Sequence, residues 1–137
     1  MKVEKINLND IEEVSLTTYL LDSSAEFGNI TTRPAVLIFP GGGYFSISDR
    51  EAEPIAMAYL AEGYHAFILR YSVGKESNFS MALSDAEAAI TLIREYAERW
   101  NIDDNWILCR GTSCSSSWNH GKTTTKRINF GISLYIV

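Results

Sequence analysis

Residues 33–74 read RPAVLIFPGGGYFSISDREAEPIAMAYLAEGYHAFILRYSVG, and this stretch decides the fold. Ala35 to Phe39 is a short unbroken apolar run, as expected of a strand buried on both faces of a parallel sheet. Pro40 and three consecutive glycines follow at once. Ser48-Asp-Arg-Glu51 fits a capping box, in which Ser48 accepts from a free helix amide while Glu51 reaches back. Ala52, Ile55, Ala56, Tyr59 and Leu60 then recur at helical spacing, and Gly63 is placed to close the helix. His65 to Tyr71, HAFILRY, is a second strand of the buried type.

The flanks continue the alternation. Glu13 to Asp22 mixes β-branched and aromatic residues and predicts an early strand, and Gly28 to Pro34 is a turn-rich connection. After a loop over Ser72–Ser80, Met81 to Trp100 is the clearest helix, with Ala82, Ala86, Ala89, Ile90, Ile93 and Ala97 along one face. Trp106 to Cys109 is a third apolar run. Continuous apolar strands alternating with helices imply an α/β fold, a mostly parallel sheet joined by right-handed crossover helices.

Composition bounds the function. The 137 residues are 46% hydrophobic and 21% charged, enough apolar chain for one core and too much for disorder. No apolar run approaches the ~20 residues of a membrane span, and the charged opening MKVEKINLND has no signal-peptide core. Two cysteines make no disulfide framework, so the expectation is a cytoplasmic protein with free thiols. A net charge of −5 argues against nucleic acid as a partner.

The glycines carry the chemistry. A loop such as Pro40-Gly-Gly-Gly-Tyr44, between a buried strand and a helix, lets backbone N–H groups approach a ligand closely. Dinucleotide binding wants G-x-G-x-x-G and an acid closing the next strand; here Ser46 stands for the last glycine and the strand ends Arg70-Tyr71. An oxyanion hole fits better, since its amides stabilise the charge of a tetrahedral intermediate. Gly121-Lys122-Thr123 resembles the end of a phosphate loop, but the required upstream glycine is Ser116. Cys109, Cys114 and His120 match no standard zinc spacing, so no metal site is read there. His65 and Asp85 read as structural residues.

With these motifs in order, residues 13–109 resemble bacterial α/β-hydrolase esterases of the acetyl-xylan-esterase-like group. These carry PGGGY or HGGGY, a REAEP helix start and a GYHAFVLRYSVG-type strand, then a helix and a strand matching Met81–Trp100 and NIDDNWILC. The resemblance implies the N-terminal half of an α/β-hydrolase fold. It implies an oxyanion hole at Gly41, Gly42, Gly43 and Tyr44, drawn chiefly from the amides of Gly42, Gly43 and Tyr44. The implied activity is hydrolysis of small carboxylic esters, such as acetylated sugars, by a serine nucleophile with no metal or organic cofactor.

Past Cys109 the pattern changes. In the resembled family this strand enters a G-x-S-x-G elbow, typically GFSAGGHLAA. Here Gly111-Thr-Ser113-Cys-Ser115 is a partial version, and Ser113 is the candidate nucleophile. No Asp or Glu follows Asp104, and His120 is the one later histidine, so Ser…Asp/Glu…His is not completed. Residues 1–109 hold eight basic against seventeen acidic residues, a balance of −9, whereas 110–137 carry four basic residues and no acid. RGTSCSSSW can be encoded so that another phase reads GGHLAAAL, the family's sequence after its nucleophile. The expectation is a partial hydrolase domain over 1–109, truncated at its elbow, with 110–137 as out-of-frame translation. Such a chain is expected to be inactive. The alternatives are a non-catalytic fragment or a small anion-binding protein using the Gly41–Tyr44 loop. An apolar strand with an open edge also predicts homo-oligomerisation.

Overall fold

Apolar runs 35–39 and 65–70 lie side by side at the centre of a mixed sheet. The computed structural model describes residues 1–10, 13–111, 124–128 and 132–136, with side chains described as far as Asp103. In chain order the elements are β1 (Lys2–Asn7), β2 (Ser15–Leu20), β3 (Arg33–Phe39), α1 (Glu53–Ala61), β4 (His65–Arg70), α2 (Phe79–Glu95), β5 (Ile102–Gly111), β6 (Thr124–Ile128) and β7 (Ile132–Ile136). The strand order is β1-β2-β4-β3-β5-β7-β6. The pairs β4–β3, β3–β5 and β5–β7 are parallel, and β1–β2, β2–β4 and β6–β7 are antiparallel. The expected α/β sheet with crossover helices is thus present, with its parallel pairs at the centre.

The two sides of the sheet follow strand alternation. Ala35, Leu37, Phe67 and Leu69 face α2 and pack with Ala86, Ala89, Ile90, Ile93, Ala97, Trp100 and Ile102. Val36, Ile38, Ala66 and Ile68 face α1 and pack with Tyr19, Ala52, Ala56 and Leu60. Both helical stripes are therefore where their periodicity puts them.

Three local features differ from the sequence expectation. The charged opening forms β1, because its backbone pairs with β2 from Lys2↔Leu20 to Asn7↔Ser15 while most of its side chains face solvent. Alternation so diluted by lysine and glutamate gives no apolar signal. The long helix starts at Phe79 under an Asn78 cap, whose side chain accepts from the Met81 N–H at 3.0 Å, and stops at Glu95. Turns carry Tyr96–Trp100 to β5. Ser48 makes no side-chain capping bond; Asp49–Glu51 is a short 3-10 turn, and α1 opens after Ala52 with Pro54 in its first turn.

β5 extends through Arg110 and Gly111, which pair with Ile38 and Phe39. Part of the apolar tail, β7, pairs with β5 from Cys109↔Leu134 to Gly111↔Ile136. Among the described residues no helix is long and apolar enough to cross a membrane.

Candidate functional site

The glycine loop leaves the carboxyl end of β3, where the chain must turn sharply toward α1. Gly42 (φ 155°), Gly43 (φ 62°) and Tyr44 (φ 66°) all have positive φ. Glycine takes such angles freely, whereas Tyr44 holds one at a steric cost of ~1–2 kcal/mol. Its side chain packs against the core on the α2 side. Gly42 is also required by space: a Cβ there would lie 1.8 Å from the Ser46 carbonyl oxygen.

Hydrogen bonds fix the loop from several elements. The buried Tyr71 hydroxyl donates to the Pro40 carbonyl at 2.7 Å, tying the loop to the end of β4. The Gly41 N–H donates to Glu51 Oε2 at 2.8 Å, and the Gly41 carbonyl accepts from the Ser48 N–H at 2.7 Å. The Gly42 carbonyl accepts from the Phe45 and Ser46 N–H groups, and that of Tyr44 from the Gly74 N–H at 2.8 Å. Gly41 thus plays a different part from its neighbours, since its N–H is directed at a carboxylate. Gly43 is exposed, and its N–H makes no hydrogen bond among the described residues.

Beside the loop a groove of about 790 Å³ is lined by Lys5, Asn7, Glu13, Ile47, Arg70, Tyr71 and Val73. Arg70 pairs with Asp49 at 2.7 Å. Just past β4, Asp85 of α2 accepts from both the Ser72 N–H and its hydroxyl at 2.7 Å. His65 is 1% exposed and its Nδ1 accepts from the Leu21 N–H at 3.1 Å. Burial holds its pKa below the ordinary 6.5, partly offset by the backbone at Asn101 and Trp100. Both residues act as the structural groups expected of them. The Tyr19 hydroxyl donates to Glu53 at 2.9 Å; burial, then this carboxylate, push its pKa up to about 12.

Among the described residues no group of three or more His, Cys, Asp or Glu is placed to hold a metal. Ser113, Cys114, His120 and Gly121–Thr123 lie outside the described residues. The sequence did not reveal the roles of Glu51 and Tyr71, because neither stands beside the glycines in the chain. The one signal available was Glu51 itself, placed in a motif that suggested helix capping.

The BD-FAE family model matches residues 22–123. This chain belongs to the BD-FAE family of α/β-hydrolase esterases. The match extends beyond Cys109, where the motif resemblance ends. Among solved structures, the chain is similar to MGS-M1, an α/β-hydrolase enzyme from a Medee basin deep-sea metagenome library. The two are 49% identical at a TM-score of 0.79, over 82% of this chain and 47% of that one. It is similar to the carboxylesterase Cest-2923 from Lactobacillus plantarum WCFS1, at 34% identity and a TM-score of 0.75, over 82% and 42% of the two chains. An acetyl ester-xyloside bifunctional hydrolase from Caldicellulosiruptor lactoaceticus is 32% identical with a TM-score of 0.70, over 80% and 42%. Endo-1,4-beta-xylanase B from Butyrivibrio fibrisolvens is 32% identical over 87 residues, 61% of this chain and 14% of that protein. This BD-FAE chain therefore spans less than half the length of each of these relatives.

Proposed function

We propose that the chain carries the oxyanion-stabilising part of a carboxylic-ester hydrolase site, with the amides of Gly42 and Gly43, flanked by Tyr44, facing the substrate. The observation that carries this reading is the pairing of Phe39 with Gly111. It sets the glycine loop, which begins at Pro40, beside the end of β5, and Ser113 follows two residues later in sequence. The end of β5 and the start of the glycine loop are thereby neighbours. Attack by the Ser113 oxygen on an ester carbonyl, once its proton has passed to a base, would form the C–O bond and open the carbonyl π bond onto the carbonyl oxygen. Preorganised N–H donors are worth most there, before the carbonyl re-forms and the alcohol leaves.

Small esters are the substrate class, including acetylated sugars. The acetyl ester-xyloside hydrolase and xylanase relatives support that choice. Ser113 is the nucleophile position in this proposal, and no cofactor is invoked. The sequence completes no triad after Ser113, so the chain alone is expected to hydrolyse p-nitrophenyl acetate at the buffer rate. A rate abolished by Ser113→Ala would show that it turns over unaided.

The site itself is tested by titrating the chain with acetate, the product of such a reaction, and following backbone amide resonances. Saturable shifts are expected at Gly42–Tyr44 and not at Gly28, on a remote turn. Unmoved loop resonances would overturn the oxyanion assignment. Sequencing the gene around Cys109 tests the frame of residues 110–137; codons that cannot be re-phased into GGHLAA would exclude the shift.

A further inference from the structure

We infer that Glu51 is the positioning residue of the glycine loop: its carboxylate grips the Gly41 amide and so determines which amides are presented to substrate. This rests on the ester-hydrolase reading and concerns a residue whose sequence context pointed to helix capping. The structure gives it other work. Ser48 makes no side-chain cap, so the reciprocal box is not formed.

The segment 48–51 instead closes on Gly41 from two sides. Glu51 Oε2 accepts from the Gly41 N–H at 2.8 Å, and the Ser48 N–H donates to the Gly41 carbonyl at 2.7 Å. The 3-10 turn Asp49–Glu51, closed by the Glu51 N–H on the Ser48 carbonyl at 3.1 Å, holds the two arms together. On the preceding peptide unit, Tyr71 holds the Pro40 carbonyl. The Pro40–Gly41 peptide is therefore fixed at both its C=O and its N–H.

Planarity carries this constraint forward. In a trans peptide the N–H points opposite to the C=O of the same unit. The Gly41 carbonyl is directed at Ser48, so the Gly42 N–H is directed away from the 48–51 segment. Gly43 follows at φ 62° with its N–H making no hydrogen bond among the described residues. The grip on Gly41 thus withdraws the first amide from the site and orients the next two.

The carboxylate's charge is not what the site needs, because an anion near a developing oxyanion opposes it. What the site needs is an acceptor at the Gly41 N–H. A glutamine supplies one without the charge, and leucine supplies none.

The test is backbone amide NMR with hydrogen exchange on the full chain and three variants. Glu51→Leu is expected to speed Gly41 exchange about tenfold or more, the scale of one lost hydrogen bond, and to move the Gly42–Tyr44 resonances. Glu51→Gln is expected to restore both to near wild-type values. Should Glu51→Leu fail to fold, Glu51→Asp withdraws the oxygen by one methylene and is expected to show the same changes more weakly. The inference is overturned if the Leu or Asp variant leaves Gly42–Tyr44 at wild-type shifts and exchange rates. It is equally overturned if Gln behaves like Leu. Acetate titration of the wild type tests the ester-hydrolase reading separately.

Discussion

The two sides of the sheet are covered by different means. Against α2 lie large side chains: Phe67, Leu16, Leu37 and Leu69, with Trp100 stacked on Tyr96 at 4.9 Å and tilted against Phe67 at 5.7 Å. From α1 the buried residues are Ala56 and Leu60, with Ala52 just before the helix, while Ile55 and Tyr59 are only partly buried, so less apolar volume is sealed there. Polar ties supplement that side, from Tyr19 to Glu53 and from Glu51 to Gly41. The α2 side carries the larger apolar load, besides the Asp85–Ser72 tie, and the α1 side is a thinner layer whose position is pinned. The pinned side is the one that leads into the glycine loop, where direction matters more than adhesion.

The largest expected effect tests the α2 side. Phe67 is fully buried and touches both the helix and Trp100, so Phe67→Ala should destabilise the fold by about 3–5 kcal/mol in urea melts. A loss below about 1.5 kcal/mol would erase the contrast between the sides. Gly42→Ala comes next and acts at the loop. The added methyl would sit 1.8 Å from the Ser46 carbonyl oxygen, at a φ that side chains avoid. Overpacking of this kind predicts a loss of about 2–3 kcal/mol. The Gly42–Tyr44 amides should move more than those of β4.

His65 sharpens the comparison, being a buried ionisable group on the apolar side, in the same alternation as Phe67 and Leu69. Burial lowers its pKa below the ordinary 6.5. The folded state therefore binds a proton less readily than the unfolded chain. Stability from this group is complete above about pH 6.5, the unfolded value, and is lost as pH falls through the folded one. Urea midpoints measured from pH 7.5 downward should show this acid-side decline, and His65→Gln should flatten it. An unchanged slope in the variant would assign the decline to the carboxylates instead.

How far this fold was legible depends on where the signal lay. Runs 35–39 and 65–71 declared buried strands because both faces are covered, and the α2 stripe was visible in its spacing. β1 was not legible, since its pairing is a backbone property and half of its side chains are charged. At the site the glycines pointed to the loop, because only glycine satisfies the crowding at position 42. Glu51 did not, because the same Ser-x-x-Glu pattern fits a capping box and a loop clamp equally well. Only the position of Gly41 in space separates them. Tyr71 was hidden for a similar reason: it reads as the last apolar residue of a strand, and its hydroxyl reaches Pro40 across the sheet.

The smallest expected effect examines a single pin on the α1 side. Tyr19→Phe keeps the ring in its packed position and removes only the hydroxyl that donates to Glu53 at 2.9 Å. A bond to a charged acceptor is worth about 1.5–3 kcal/mol, at the low end here because Glu53 is exposed, so the urea midpoint should fall modestly at pH 7. The pH dependence then identifies the group. Burial and the Glu53 carboxylate push the Tyr19 pKa from 10.0 up to about 12, so the folded state holds its phenolic proton longer than the unfolded chain does. Stability from the phenol is complete below about pH 10 and is lost as pH rises through 12. The wild type's advantage over the Phe variant should shrink across that interval. A loss near 3 kcal/mol at pH 7 would mean that α1 depends on its pins as heavily as α2 does on burial. The contrast between the two sides would then be one of chemistry alone, not of strength.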